Sequence, residues 1–260
     1  MSIQKPADDF ELLLHVAEDP LRLLGGKSFP LFQAFKFGYE CGLPAGASFR
    51  HLYAPDFEEF VGERFPAPER WPQHLSATCY VHFLGPDDAC AFDLYVALLR
   101  DYFAAHPPTP PEPTLSERSS LDQMLEAVRQ RPRMYFGLTP DLMGCLVALL
   151  NGGIEAKRAH TGVSPTAALL ENFNAWLNAR HPWALGRPWD RILGFQNLWD
   201  PERSLTAFWT YFDLFRNSES PDALTPVAKQ MFETNPGLDD MTEAQRESWK
   251  QQLNRIFYTK

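Results

Sequence analysis

Apolar residues recur at three- and four-residue steps along much of this chain, as in Phe92, Tyr95, Val96 and Leu99, and again in Leu121, Met124, Leu125 and Val128. That spacing places each set on one side of an α-helix, because residues three and four apart lie over one another on its surface. Strand-like patterning is weak, its best case being Ala77 to Leu84. The expected fold class is therefore mainly α. Asp19-Pro20 and Arg131-Pro132 should end helices, since the residue before proline is pushed away from the helical region. Gly25 and Gly137 mark the turns that follow.

The pattern occurs twice. Pro20 to Arg100 and Pro132 to Arg216 share five blocks in the same order, with offsets between 112 and 118. A helix, a proline stop and a glycine open each stretch, and an apolar run follows (Leu31 to Phe37, Met143 to Leu150). Next come an aromatic helix (Phe57 to Val61, Phe173 to Leu177), a tryptophan segment (Trp71 to Leu75, Trp189 to Leu193) and a closing helix (Ala91 to Arg100, Ala207 to Arg216). Two tandem copies of one helical module are expected, and repeats of this kind decide how the rest of a chain is read. The module boundaries are placed at 1–103 and 121–216, with a linker over 104–120 and a C-terminal helical extension over 217–260. Five prolines between Pro107 and Pro113 favour an extended spacer in that linker. In the extension, Thr225 to Glu233 and Thr242 to Phe257 have helical patterns, the second with Trp249, Leu253, Ile256 and Phe257 on one face.

Composition narrows the class. Hydrophobic residues make up 45% of the 260, ample for a packed core. The polar, acidic start and the lack of a long apolar run give the expectation of a cytoplasmic protein with no membrane segment. Cys41, Cys79, Cys90 and Cys145 lack C-x-x-C spacing and are read as reduced, mostly buried thiols. Of the net charge of −9, residues 1–112 carry −8, from 8 Lys+Arg against 16 Asp+Glu. Such an acidic half repels nucleic acid and favours a basic protein partner.

Motifs for chemistry are few. His74, Cys79, His82 and Cys90 include zinc-type ligands, but their spacing matches no familiar knuckle and the second stretch has no equivalents, so no metal is expected. Gly25-Gly26-Lys27-Ser28 lacks the first glycine of a P-loop, and no G-x-S-x-G elbow is present. No cofactor is expected. Arg131-Pro132-Arg133-Met134-Tyr135-Phe136-Gly137 superficially resembles a segment of type II topoisomerase ATPase subunits, without the Asn and Asp-x-Gly-x-Gly elements those sites need. The bland reading of that block is a helix and a fixed turn, with Met134 and Tyr135 packed on the core. Its sharper alternative is an anion site formed by Arg131, Arg133 and Tyr135, which would suit an enzyme with a pocket between the two modules.

The same block, taken with Phe173 to Trp176, Trp189 to Leu193 and Ala207 to Phe215, resembles a module of small bacterial proteins of the immunity type, encoded beside secreted polymorphic toxins. The resemblance implies a non-enzymatic role, the capture of a toxin domain, and carries over no catalytic residue. The residues themselves point to where capture would occur. Asp56, Glu59 and Glu63 share a helical face turned away from Phe57, Phe60 and Val61. Glu58, Asp87 and Asp88 extend the acidic set. The matching positions in the second stretch are aligned as Asn172, Asn174, Ala175, Ala179, Arg203 and Ser204, all neutral or basic. The expected contact with a basic partner is therefore Asp56, Glu58, Glu59, Glu63, Asp87 and Asp88.

Overall fold

A computed structural model describes residues 9–43, 55–65, 77–106, 121–137, 139–181, 184 and 186–217. Among them every regular element is a helix: α1 (Asp9–Glu18), α2 (Pro20–Leu23), α3 (Phe29–Gly42), α4 (Pro55–Arg64), α5 (Ala77–Leu84), α6 (Asp88–Ala105), α7 (Leu121–Gln130), α8 (Pro132–Phe136), α9 (Leu142–Thr161), α10 (Pro165–Arg180), α11 (Trp189–Gln196) and α12 (Pro201–Asn217). The mainly α expectation holds. Both proline stops fall where the sequence places them, with α1 ending two residues before Pro20 and α7 two residues before Pro132. Gly25 and Gly137 then take left-handed φ values of 78° and 69°, which glycine adopts without a Cβ clash.

Ala77 to Leu84 is a helix and not a strand. A strand needs a neighbour to satisfy its backbone, and none lies among the described residues. As a helix the segment bonds within itself and buries Val81, then turns at Gly85 to run against α6. Gly85 lies so close to Ala91 that an added Cβ would be 2.7 Å from the alanine's own Cβ.

The chain divides into two compact units at Ala168/Leu169, inside α10, and not at the proline-rich linker. The physical reason is the pairing of α3 with α9. A methyl group on Gly38 would overlap the Leu149 carbonyl oxygen, and one on Gly152 would overlap that of Phe35. One on Gly42 would lie 2.6 Å from Gly153 O and 2.8 Å from the Ala156 Cβ. Small residues four apart on both helices, Gly38 and Gly42 against Gly152 and Ala156, thus bring the backbones into contact along parallel directions. The two glycine contacts are reciprocal: positions 38 and 152, and 35 and 149, are each 114 apart. A second pair crosses in the same way, with the Tyr135 ring of α8 6.1 Å from Phe37 of α3, and Asn151 of α9 donating to Leu23 O of α2 at 2.8 Å. Reciprocity of this kind is what a two-fold axis along a parallel helix pair produces. It covers α2, α3, α8 and α9, and the tandem duplication of the whole module stays a proposal built on it.

In the first unit α6 is the spine, burying Phe92, Tyr95, Val96, Leu99, Tyr102 and Phe103. Phe32 of α3 meets Phe92 and Tyr95 edge-on at 5.4 and 5.9 Å. Phe57 of α4 meets Tyr95 and Tyr102 at 5.7 and 5.3 Å. In the second unit Phe173 of α10 is the hub, with Phe208, Phe212 and Phe215 of α12 at 5.9, 5.3 and 5.6 Å and Trp189 of α11 at 6.2 Å. Edge-to-face pairs at these separations stabilise by about 0.5–1.5 kcal/mol each beyond the area they bury. The linker residues 107–120 and both helices expected after Asn217 lie outside the described residues, whereas α6 continues to Ala105, two residues into the stretch assigned to the linker.

Candidate partner-binding surface

The α4 helix has two faces because Phe57 and Val61 are wholly buried and Phe60 packs on Tyr102 at 5.3 Å. Glu59 and Glu63 therefore face solvent, one turn apart, and Glu58 is half-buried beside Tyr95. Asp56 belongs to α4, and its side chain lies outside the described residues. Like charges four apart on a helix cost a few tenths of a kcal/mol, and neither Glu59 nor Glu63 is engaged by a cation among the described residues. Other exposed carboxylates of this layer are neutralised: Lys27 donates to Asp93 at 2.6 Å and Arg64 to Asp101 at 2.5 Å.

Asp87 and Asp88 lie at the start of α6 and have local duties. The α4 contact on α6 is centred on Tyr95 and Tyr102, and Asp88 precedes them by 7 and 14 residues, or about 10 and 21 Å along a helix. Asp87 is the N-cap of α6, its Oδ1 accepting from the Cys90 N–H at 2.7 Å. That bond holds the Asp87 carboxyl below its ordinary value, and hydrogen bonding to Asp87 raises the Cys90 thiol. Asp88 Oδ1 lies 3.0 Å from His82 Nε2 and accepts its hydrogen bond when that nitrogen carries the proton. The comparison that singled Asp87 out also changes. Asp200 Oδ1 accepts from the Arg203 N–H at 2.8 Å ahead of α12, so the counterpart of Asp87 by role is Asp200 and not Arg203. Asp87→Ala should therefore lower the melting temperature while Asp87→Ser, which can still cap, keeps it. Equal melting temperatures for the two variants in a thermal scan would remove the capping role.

Arg131 and Arg133 are exposed, and the Tyr135 ring turns back onto Phe37. Met134, expected on the core, is 70% exposed, and Phe136 is the residue that packs there. Among the metal candidates His74 lies outside the described residues, His82 is engaged by Asp88, and Cys79 and Cys90 are exposed. No group of three His, Cys, Asp or Glu side chains placed to hold a metal occurs among the described residues. The thiols are free, but only Cys145 is buried and Cys41 is intermediate, so the expectation of mostly buried cysteines fails for two of the four.

Buried polar groups escaped the sequence reading. Lys36, 3% exposed within the apolar run Leu31 to Phe37, donates from Nζ to the Tyr95 hydroxyl at 3.2 Å. Burial drives the Tyr95 phenol well above its ordinary value, so it stays protonated beside the lysine. A lone lysine in an apolar helix was the available signal. In the second unit His181 is 6% exposed, with Gln196 Nε2 at 3.3 Å from its ring nitrogens and the Tyr211 ring at 5.8 Å. No helix among the described residues is long and apolar enough to cross a membrane. Comparisons with protein-family models, with curated proteins and with solved structures found no match to this chain.

Proposed function

We propose that this chain is a non-enzymatic protein-binding module that captures a basic protein through the solvent face of α4, with Glu59 and Glu63 at its centre and Asp56 and Glu58 beside them. One observation carries the reading. Glu59 and Glu63 are exposed and unpaired among the described residues, on a helix whose described core contacts come from Phe57, Phe60 and Val61, while the carboxylates of Asp93 and Asp101 have cations of their own. Folding gains nothing from that arrangement, and association with a basic surface does. The immunity role implied by the sequence resemblance is the concrete form: the acidic face would cover the Lys and Arg residues with which a toxin domain holds a phosphate-bearing substrate.

The test is co-expression with the toxin domain encoded by a neighbouring gene, followed by binding kinetics at two salt concentrations. Glu59→Lys with Glu63→Lys should slow association about tenfold or more at low salt and flatten its salt dependence, with the melting temperature nearly unchanged, because steering by exposed charge acts on the on-rate. Unchanged protection and unchanged kinetics in this variant would remove α4 from the interface.

A further inference from the structure

Left-handed backbone occurs at six described residues, and four are glycines: Gly25, Gly137, Gly162 and Gly186. The other two are adjacent and bulky, Leu198 at φ 55° and Trp199 at φ 60°. They end α11. The Trp199 N–H donates to Gly194 O at 2.7 Å and the Leu198 N–H to Phe195 O at 3.1 Å. These are the two hydrogen bonds of a Schellman motif, in which the first residue past the cap is left-handed and is usually glycine. The chain follows that rule after α9, where Gly162 takes φ 76°. After α11 it places leucine there.

The two residues differ in what they gain. The Trp199 ring lies on Gly194, where an added Cβ would be 2.5 Å from the ring, and an apolar contact between these two positions commonly accompanies the motif. Leu198 gains no such cover, being 70% exposed. Glycine would relieve its backbone, so an exposed leucine at that φ is the wrong residue for folding alone. Bulky residues held in sparsely populated backbone regions mark sites where something other than stability is served. Trp199 beside it is 46% exposed. The Arg191 guanidinium lies 5.8 Å above the indole with its side chain 61% exposed, and its approach to Asp190 is 3.6 Å, too long for a hydrogen bond.

We propose that the Leu198–Trp199 turn is a docking knob for another protein. Leu198 and the open edge of Trp199 enter an apolar pocket, and a carboxylate on the rim of that pocket pairs with Arg191. The acidic rim follows from charge complementarity, since Arg191 retains donors that Asp190 does not engage. Tryptophan and arginine are each among the residues enriched where binding energy concentrates. The knob lies in the second unit and does not depend on the α4 face.

The test uses the full chain in the cells it comes from, with a photo-crosslinking residue at position 198 and, as control, at Val163, another exposed apolar position. Position 198 should give one discrete adduct, identified by mass spectrometry as a different protein, absent from position 163 and reduced about tenfold by Arg191→Glu. With that protein purified, Leu198→Gly should weaken binding at least about tenfold while its melting temperature stays equal to or above that of the parent, because glycine is the unstrained residue there. Four results would each overturn the proposal: no adduct, the same adducts at both positions, an adduct made only of two copies of this chain, or a melting temperature several degrees lower for Leu198→Gly.

Discussion

Gly38→Ala should unfold the first unit or leave it barely folded, and Gly152→Ala should do the same. The added methyl group at either position overlaps a backbone carbonyl oxygen of the facing helix, that of Leu149 or Phe35. Backbone cannot swing aside as a side-chain tip can, so α3 and α9 must separate and lose contact along their shared length. Overpacking a core costs about 1–3 kcal/mol where side chains can adjust; here the expected loss is at least about 3 kcal/mol. The control is Gly62→Ala. Gly62 lies inside α4 with nothing within 4 Å of an added Cβ, and alanine in a helix interior is favoured over glycine by about 0.5–1 kcal/mol. The same substitution should thus destabilise at one glycine and stabilise at the other. Urea unfolding followed by circular dichroism measures both, and a Gly38→Ala protein within about 1 kcal/mol of the parent would mean the helices are not held backbone to backbone.

That helix pair also shows where legibility in the sequence ends. The helix stops at Pro20 and Pro132 and the turns at Gly25 and Gly137 were readable because each is set by the residue's own backbone preferences. Gly38 and Gly42, and Gly152 with Ala156, stand in the sequence as plainly, but four-residue spacing of small residues acquires meaning only when a second helix lies against it. The partner of α3 comes from the other side of the linker, and no local pattern names it. The same limit applies to Ala77 to Leu84, whose aromatic and β-branched content suits a strand, whereas the segment bonds within itself as a helix and no strand lies beside it among the described residues.

For the candidate surface, the exposure of Glu59 and Glu63 followed directly from helical spacing around Phe57, Phe60 and Val61. Asp87 and Asp88 carry local bonds that helical spacing alone did not reveal, because a residue's role as a cap depends on where a helix begins. Aligning Asp87 with Arg203 made it seem dispensable to the fold, whereas Asp200 makes the equivalent bond. Exposure without a folding role is what Glu59, Glu63 and Leu198 have in common, and it is visible only once the packing partners of their neighbours are known.

Lowering the pH from 7 to about 4 should cost the second unit about 3 kcal/mol through His181 alone. Burial, and then the Arg180 guanidinium beside it, push the His181 imidazole down to about 4 in the folded protein, against about 6.5 in an unfolded chain. The folded state thus holds His181 neutral while the unfolded chain takes up a proton first. Its contribution is fully present above about pH 6.5 and is lost as the pH falls through that value toward 4, because stability rises with pH wherever the unfolded state binds more protons. Each unit of difference corresponds to about 1.4 kcal/mol, which gives the figure above. Acid unfolding sums over many groups, so the measurement is a difference between proteins. His181→Gln keeps a polar side chain near Gln196 and has nothing to protonate; it should be less stable at pH 7 yet lose less on acidification, the two unfolding curves converging near pH 4. An imidazole resonance that remains neutral at pH 5 would confirm the mechanism directly. Parallel loss of stability in parent and variant between pH 6.5 and 4 would show that His181 is solvated and titrates as in the unfolded chain.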